Sequence, residues 1–489
     1  MKEDDICFIP AWEMKEKIIN QELTSQELTE IIIERIEKIN PIINAYCTTT
    51  FDLARNLAKN ADIAVKNGEK LGLLHGIPTS IKDNVDVKGI RTSCGCKAFE
   101  NYISPSDDIA VNRLKEAGVV ILGKTNMPAF GYKGVTDNLI FGETKNPWHL
   151  EKTCGGSTGG GAAATASGLS PLTQGSDGGG SIRIPSSFCG LFGIKPTFGR
   201  IPQTSMKVEG NMGTFVQKGP LVRYVKDAAL MLDALVGDDD IDRYSLPKPN
   251  YSFYDTLEDT PKKLNIGYAI DLGNLEIIHS EVEQSVLNAV KKFEEFNWTV
   301  EKSNINLLST GETLRGKVSV QNYSLTWNTI WAYGIGYFVK PIVEKYGNIL
   351  DQELVQLAQF GFKLTPETIY TAEIQREVIY DNVCKHFKQF DILITPTMAC
   401  PAFELGVSSP SMIDGKKVTT GAWSPYTHPF NMTGHPAASI PCGWSSDGLP
   451  IGMQIIGKRF DEITVLQVSK AFEEIAPWQD KRPNFKQKM

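Results

Sequence analysis

The sequence predicts an α/β fold in which helices cover the faces of a β-sheet. From residue 71 onward, short apolar strands alternate with amphipathic helices, the pattern of a sheet buried on both sides. The 489 residues are 41% hydrophobic and 22% charged, which supplies a large buried core and excludes disordered and fibrous classes. The first seventy residues read as helices that precede the sheet. α/β enzymes of this length often form one continuous core, so a single domain over 1–489 is expected.

The elements follow in order. Thr24-x-x-Glu27 has the form of a capping box, and Leu28, Ile32, Ile36 and Ile39 then make one apolar stripe. Asn40-Pro41 is expected to end that helix. An Ala-rich helix runs from about Phe51 to Val65, with Gly68 as its stop. The stretch Gly76 to Lys82 reads as a strand, Ile109–Ala117 as a helix and Val119–Leu122 as the next strand. Residues 237–249 are acidic and contain Pro, as a long surface connection does. Asp238, Asp240 and Asp242 imitate the start of a calcium loop, but Arg243 stands where that loop needs Gly and Pro249 where it needs Glu. Leu264–Ile270 resumes the strands, and Ser280-x-x-Glu283 is expected to cap a helix. Residues 310–390 read as largely helical, with Thr365-Pro366 as N-cap and first residue of one helix. Asp391–Thr395 returns to the sheet.

Composition restricts the function classes. Net charge is −7, with 50 Lys and Arg against 57 Asp and Glu, and no basic stripe stands out, so a nucleic-acid partner is not expected. No apolar run approaches the ~18 residues of a membrane span, and the acidic start lacks the pattern of a signal peptide. A cytoplasmic location with nine reduced cysteines is the resulting expectation. Cys94 and Cys96 have no second Cys or His pair at zinc spacing.

The chemistry concentrates between Thr153 and Thr197, where Gly, Ser and Thr are dense yet lead into the apolar residues Ile182, Ile184, Phe188 and Leu191. A linker would not do this; glycines between apolar elements let backbone amides approach a ligand. No Lys follows these glycines as a P-loop requires, and the dinucleotide fingerprint is met only with Ala164 in its third position. Gly155-Gly156-Ser157-Thr158-Gly159 fits the G-x-S-x-G nucleophile elbow, with Asp391 and His428 or His435 available downstream, although no strand precedes it. A second arrangement joins three places. Ser181 directly follows Gly178, Gly179 and Gly180, whose three unhindered N–H groups can hold the oxyanion of a tetrahedral intermediate. Ser157 lies in an equally Gly-rich turn and can relay a proton, and Lys82 ends an apolar strand, where a base would be sheltered.

The order Lys82, Gly155-Gly156-Ser157 and Gly178-Gly179-Gly180-Ser181-Ile182-Arg183-Ile184-Pro185 resembles the amidase signature family of serine amidohydrolases. Supporting pieces are Gly123-Lys124-Thr125-Asn126-Met127-Pro128, Asn146-Pro147-Trp148, Gly193 to Thr197 and Pro450-Ile451-Gly452-Met453-Gln454. The resemblance spans about residues 10 to 480 and implies a three-layer α/β/α fold around a central mixed sheet. It implies a helical segment over 1–70, a catalytic core over 71–236, a variable helical region on the substrate side over 250–390 and a return to the sheet over 391–489. It further implies Ser181 as nucleophile, Ser157 as proton-relaying serine on a cis peptide bond, and Lys82 as base, with no metal or cofactor. Thr158 and Arg183 are expected to support the site, and Met127 and Phe130 to line the substrate pocket. Thr158 and Gly161 stand where many members have Ser, and Ser176-Asp177-Gly178 replaces a common Thr-Asp-Thr.

A lysine base must be neutral, which at pH 7 costs about 4.6 kcal/mol from a reference pKa of about 10.4. Burial among apolar residues can supply a shift of that size. The implied reaction is hydrolysis of a small-molecule amide through an acyl-enzyme. Part of the family instead forms the glutaminase subunit of tRNA-dependent amidotransferases, where an acidic residue holds the α-amino group of glutamine; Ser424 aligns with that position and carries no charge. Aromatic residues between 323 and 346, including Trp327, Trp331 and Tyr337, suit either an acyl pocket or core packing. The N-terminal helices can pack on the core or on a second copy of the chain, so a homodimer is among the expectations.

Overall fold

The computed structural model describes residues 3–204, 213–313 and 316–485. Eleven strands form one mixed sheet: β1 (Tyr46–Thr49), β2 (Pro78–Lys82), β3 (Val120–Thr125), β4 (Leu172–Asp177), β5 (Phe192–Lys195), β6 (Gln217–Val222), β7 (Asn265–Tyr268), β8 (Thr299–Lys302), β9 (Ile392–Pro396), β10 (Ala437–Trp444) and β11 (Pro450–Gly457). Their order is β1-β3-β2-β4-β6-β5-β10-β11-β9-β7-β8. Strand β2 runs parallel to both β3 and β4, and β9, β7 and β8 are mutually parallel, whereas the strands between are antiparallel.

Successive residues on one strand enter different cores. Ile392 and Ile394 of β9 belong to one apolar cluster and Leu393 to another, and Ala438 and Ala437 of β10 divide likewise. This is the period-two signature of a sheet covered on both faces. One cluster takes the helices α1 (Ala11–Ile19), α2 (Ser25–Ile43), α3 (Phe51–Lys66), α4 (Ile109–Glu116), α5 (Gly159–Ala166), α6 (Val225–Leu235), α7 (Ser280–Lys292) and α8 (Glu462–Ile475). The other takes most of three further helices, Tyr323–Tyr346, Gln352–Lys363 and Pro366–His386, the first of which borders the site.

Local chemistry accounts for the ends. At α2 the capping box closes in both directions: Glu27 N–H donates to Thr24 Oγ1 at 3.1 Å, and Thr24 N–H to Glu27 Oε2 at 2.9 Å. That helix does not end at Asn40-Pro41 as expected. Pro41 lies within its last turn, and the left-handed Asn44 ends it. The Asn40 side chain then accepts the N–H groups of Ala45 and Tyr46, at 2.8 and 2.7 Å. At α7 the cap is His279, whose Nδ1 accepts from Glu281 N–H, rather than Ser280. Residues 310–390 do not begin as helix either. Thr310–Thr313 and Gly316–Ser319 pair as a small hairpin, where the β-branched Thr310 and Val318 favour extended backbone. The N-terminal helices pack on their own chain: Asp227 accepts the first two N–H groups of α1, from Ala11 and Trp12. No helix among the described residues is long and apolar enough to cross a membrane.

Candidate active site

Lys82 is the last residue of β2, between β3 and β4, and is 1% exposed. Its Nζ lies 2.7 Å from Ser157 Oγ and 3.0 Å from Ser176 Oγ, with the Ser176 carbonyl at 3.4 Å. Ser157 is itself buried, and the peptide bond preceding it, Gly156–Ser157, is cis. Thr158 joins the two Gly-rich turns. Its N–H donates to the carbonyl of Ser181 at 3.1 Å, and its hydroxyl to the carbonyl of Ser176 at 3.2 Å. Lys82 and Ser157, far apart along the chain, therefore meet at the C-terminal end of β2, and Thr158 bonds the Ser157 turn to the backbone of Ser181.

Ser181 sits in the connection between β4 and the short helix Arg183–Cys189. Asp177, the last residue of β4, organises this connection. Its carboxylate accepts the N–H groups of Gly180 at 2.8 Å and Ile182 at 3.1 Å, together with Arg183 Nε at 2.9 Å and Nη2 at 2.8 Å. Burial alone would raise this carboxyl's pKa. The Arg183 guanidinium and the hydrogen bonds from Arg183 and Asn431 outweigh it and hold the group well below the usual carboxylate range. The expectation of three open glycine amides is thus met by two. Gly180 N–H is taken by Asp177 because a buried carboxylate requires donors, while the amides of Gly178, Gly179 and Ser181 have no protein acceptor among the described residues.

Arg183 is fully buried and makes no approach to the cavity beside Ser181. Its Nη1 reaches Thr427 O at 2.8 Å and Gln454 Oε1 at 2.6 Å, and its Nη2 reaches Asn431 Oδ1 at 2.6 Å. It thus ties the Ser181 loop to the 427–431 segment and to β11.

A cavity of about 350 Å³ opens beside Ser181 and Gly179. Trp327, Trp331, Trp423, Ile184 and Leu357 give it an apolar wall, and Glu353 and Lys133 stand on its rim. Met127 and Phe130 do not line it. Met127 is fully buried, and Phe130 packs edge-on against Phe99 and Phe338. A tight turn over Ala129–Gly131 carries the chain round, so that Gly131 to Gly134 make the wall in their place. Of the aromatic run, Trp327 and Trp331 face the cavity, while Tyr337 packs on Tyr333 and Phe362.

The elements of a Ser-His-Asp arrangement do not come together. Asp391 is bound to Lys458 at 2.7 Å and to Asn265 N–H at 3.0 Å. His435 bonds Thr433 and stacks on Phe387, and His428 bonds Ser324 Oγ at 3.0 Å. Burial, assisted by the Arg183 charge, pushes the His428 imidazole down to about 3.

Sequence reasoning misses Ser176, Thr427, Asn431 and Gln454 as residues of the site. A serine inside a strand carries no local signal, and the other three act from more than 240 residues beyond the groups they hold.

Known proteins resemble this chain over nearly its whole length. The family model described as Amidase matches residues 27–466. An acylamidase from Rhodococcus erythropolis is 34% identical over 489 residues, covering 99% of this chain and 98% of its own. A glutamyl-tRNA(Gln) amidotransferase subunit from Moorella thermoacetica is 35% identical over 492 residues, covering 98% and 99%. Among solved structures, a bacterial aryl acylamidase of the amidase signature family matches with a TM-score of 0.87 at 29% identity, over 97% of each chain. The chain therefore belongs to the amidase family and is a hydrolase of amide C–N bonds.

Proposed function

We propose that this protein hydrolyses a carboxylic acid amide with an apolar acyl group, using Ser181 as nucleophile, Ser157 as proton relay and Lys82 as base. The observation that carries the reading is the 2.7 Å contact between Lys82 Nζ and Ser157 Oγ inside the protein, with Thr158 binding Ser157's turn to Ser181. A neutral amine has a lone pair to receive the Ser157 proton, and Ser157 in turn receives the proton of Ser181. Ser181 Oγ then forms a bond to the amide carbon, and the negative charge collects on the carbonyl oxygen. The N–H groups of Gly178, Gly179 and Ser181 are the donors left to stabilise it. Collapse breaks the C–N bond. The leaving amine takes its proton from the Lys82 ammonium through Ser157, and an ester remains on Ser181. Water attacks that ester by the same proton route in reverse, releasing the carboxylic acid and restoring all three side chains.

The apolar wall supports an aliphatic or aryl acyl group of moderate size, since three indoles and two aliphatic side chains surround about 350 Å³. The amidotransferase reading is favoured by relatives of similar identity but finds less support in the cavity. Ser424 on its wall is uncharged, and the carboxylate of Glu353 is bonded to Lys133, Tyr132 and Ser408. Glu353 is the one carboxylate among the described lining residues, and an α-ammonium group there would share it with the Lys133 ammonium.

A panel of acyl p-nitroanilides and primary amides, assayed with the wild type and with Ser181→Ala, tests the proposal. Release of the free acid by the wild type and its loss in the variant is the expected result. Full activity in Ser181→Ala would overturn it. A substrate range confined to glutamine would transfer the chain to the amidotransferase reading.

A further inference from the structure

Three successive carbonyls of the glycine loop are each held from behind by a side-chain donor. Asn431 Nδ2 donates to the carbonyl of Asp177 at 3.0 Å, Trp327 Nε1 to that of Gly178 at 3.2 Å, and Thr427 Oγ1 to that of Gly179 at 2.6 Å. The peptide bonds here are trans, so each is a plane in which the C=O and the following N–H point in opposite directions. Holding the three carbonyls therefore orients the N–H groups of Gly178, Gly179 and Gly180. The third of these is turned onto Asp177. The second, on Gly179, belongs to a residue that shares the cavity wall with Ser181, and its direction is set by Trp327.

Trp327 differs from the other two donors in where it comes from. Asn431 and Thr427 are both bound to Arg183 and form part of its buried network. Trp327 comes from the long helix Tyr323–Tyr346, and its ring lines the acyl cavity. The ring is stacked on Trp331 at 5.1 Å and 17°, and packs on His428 at 5.4 Å. It also touches the loop directly, because a Cβ on Gly179 would lie 2.5 Å from Trp327 Cζ2, while its stacking partner Trp331 crowds Gly178, where a Cβ would lie 2.9 Å from Cζ3.

We propose that Trp327 is a positioning residue for the oxyanion-binding loop: its indole N–H orients the Gly178–Gly179 peptide while its ring forms the wall on which the acyl group rests. The inference depends on Ser181 being the nucleophile. It joins substrate recognition to transition-state stabilisation through one side chain. Acyl groups that fill the wall hold the donor in line, so they act on kcat more than on KM.

The test uses the full chain with an aryl acyl p-nitroanilide as substrate and phenylboronic acid as a mimic of the tetrahedral anion. Trp327→Phe keeps a ring and removes the N–H. It is expected to lower kcat by about 10- to 100-fold, below the full loss of a donor, with KM held within about threefold. Boronate affinity should fall in parallel with kcat. Replacing Trp327 by benzothienylalanine, which keeps the bicyclic ring and lacks the N–H, should act in the same direction and keeps the inference testable if Trp327→Phe folds poorly. A kcat within about twofold of wild type in Trp327→Phe, or a raised KM with kcat unchanged, would overturn the inference and leave the indole as wall alone. If Ser181→Ala retains full activity, the nucleophile assignment itself fails. An active Ser181-dependent wild type with an unaltered Trp327→Phe sinks only the positioning role.

Discussion

Lys82 Nζ lies 2.7 Å from the hydroxyl of Ser157, and neither residue is more than 2% exposed. The same nitrogen is 3.0 Å from Ser176 Oγ. Two hydroxyls therefore share one amine, and only Ser157 belongs to the turn that is hydrogen-bonded to Ser181.

This division separates two variants. Lys82→Ala is expected to lower kcat by about 10²–10⁴-fold, the range for a lost general base. Ser176→Ala removes one partner of the amine and should cost about 1 kcal/mol, a several-fold loss. Steady-state kinetics on one amide substrate checks both. Equal losses in the two variants would mean that Lys82 is held rather than used.

Gly178 has no room for a side chain. An added Cβ would lie 2.9 Å from Trp331 Cζ3 and 3.0 Å from Cη2. Gly178→Thr should therefore reduce kcat/KM by at least about tenfold, because rigid indole atoms cannot give way without moving the donors of the loop. Trp331→Phe removes the colliding atoms, so the double variant should recover part of the loss. A double-mutant cycle that shows simple additivity would contradict this packing account.

The buried Asp177–Arg183 pair ties the Ser181 loop to two distant segments. Arg183→Met leaves a carboxylate without its charge partner and should destabilise the fold by about 3–5 kcal/mol in urea unfolding. Arg183→Lys should rescue little, since one ammonium cannot span Asp177, Gln454, Asn431 and the Thr427 carbonyl together.

Much of this site is legible in the sequence because its chemistry lies in local runs. Ser157 and Ser181 stand in Gly-rich turns, and Lys82 closes an apolar strand, so pattern and residue type locate them together. What is not legible depends on the third dimension. Ser176 reads as an ordinary strand residue, and nothing near Asp177 in the chain signals that it takes the Gly180 amide. The bond from Trp327 to Gly178 spans 149 residues. The absence of a side chain at 178 is its one trace, meaningful only beside the bulk of Trp331. Nearness in the chain suggests Met127 and Phe130 for the cavity wall, but the turn at Ala129–Gly131 directs them elsewhere. Pro41 reads as a helix breaker, yet the helix runs on through it to the left-handed Asn44 and forgoes the hydrogen bond that Pro41 cannot donate.

Acid sensitivity follows from the histidines. Burial first, with the charges of Lys195 and Arg459 adding, lowers His435 to about 3. In the unfolded chain the same group binds a proton below about 6.5. The unfolded state therefore gains protons that the folded state refuses, and stability falls as pH drops from about 6.5 toward 3, by up to about 1.4 kcal/mol per pH unit for this group. Asp227 and Glu473, each raised to about 7 chiefly by burial, act in the opposite sense between their unfolded values near about 4 and that folded value. The histidine contribution is isolated by comparing variants: His435→Gln should lose less Tm than the wild type when the pH is lowered from about 7.5 to about 5. An identical loss in both would remove the histidine from the explanation.

Intact-mass spectrometry after treatment with a fluorophosphonate, followed by peptide mapping, addresses the assignment of the nucleophile directly. A single adduct on the peptide containing Ser181, formed far more slowly in Lys82→Ala, is the expected result. An adduct on Ser157, or labelling of Ser181 at an unchanged rate without Lys82, would contradict it.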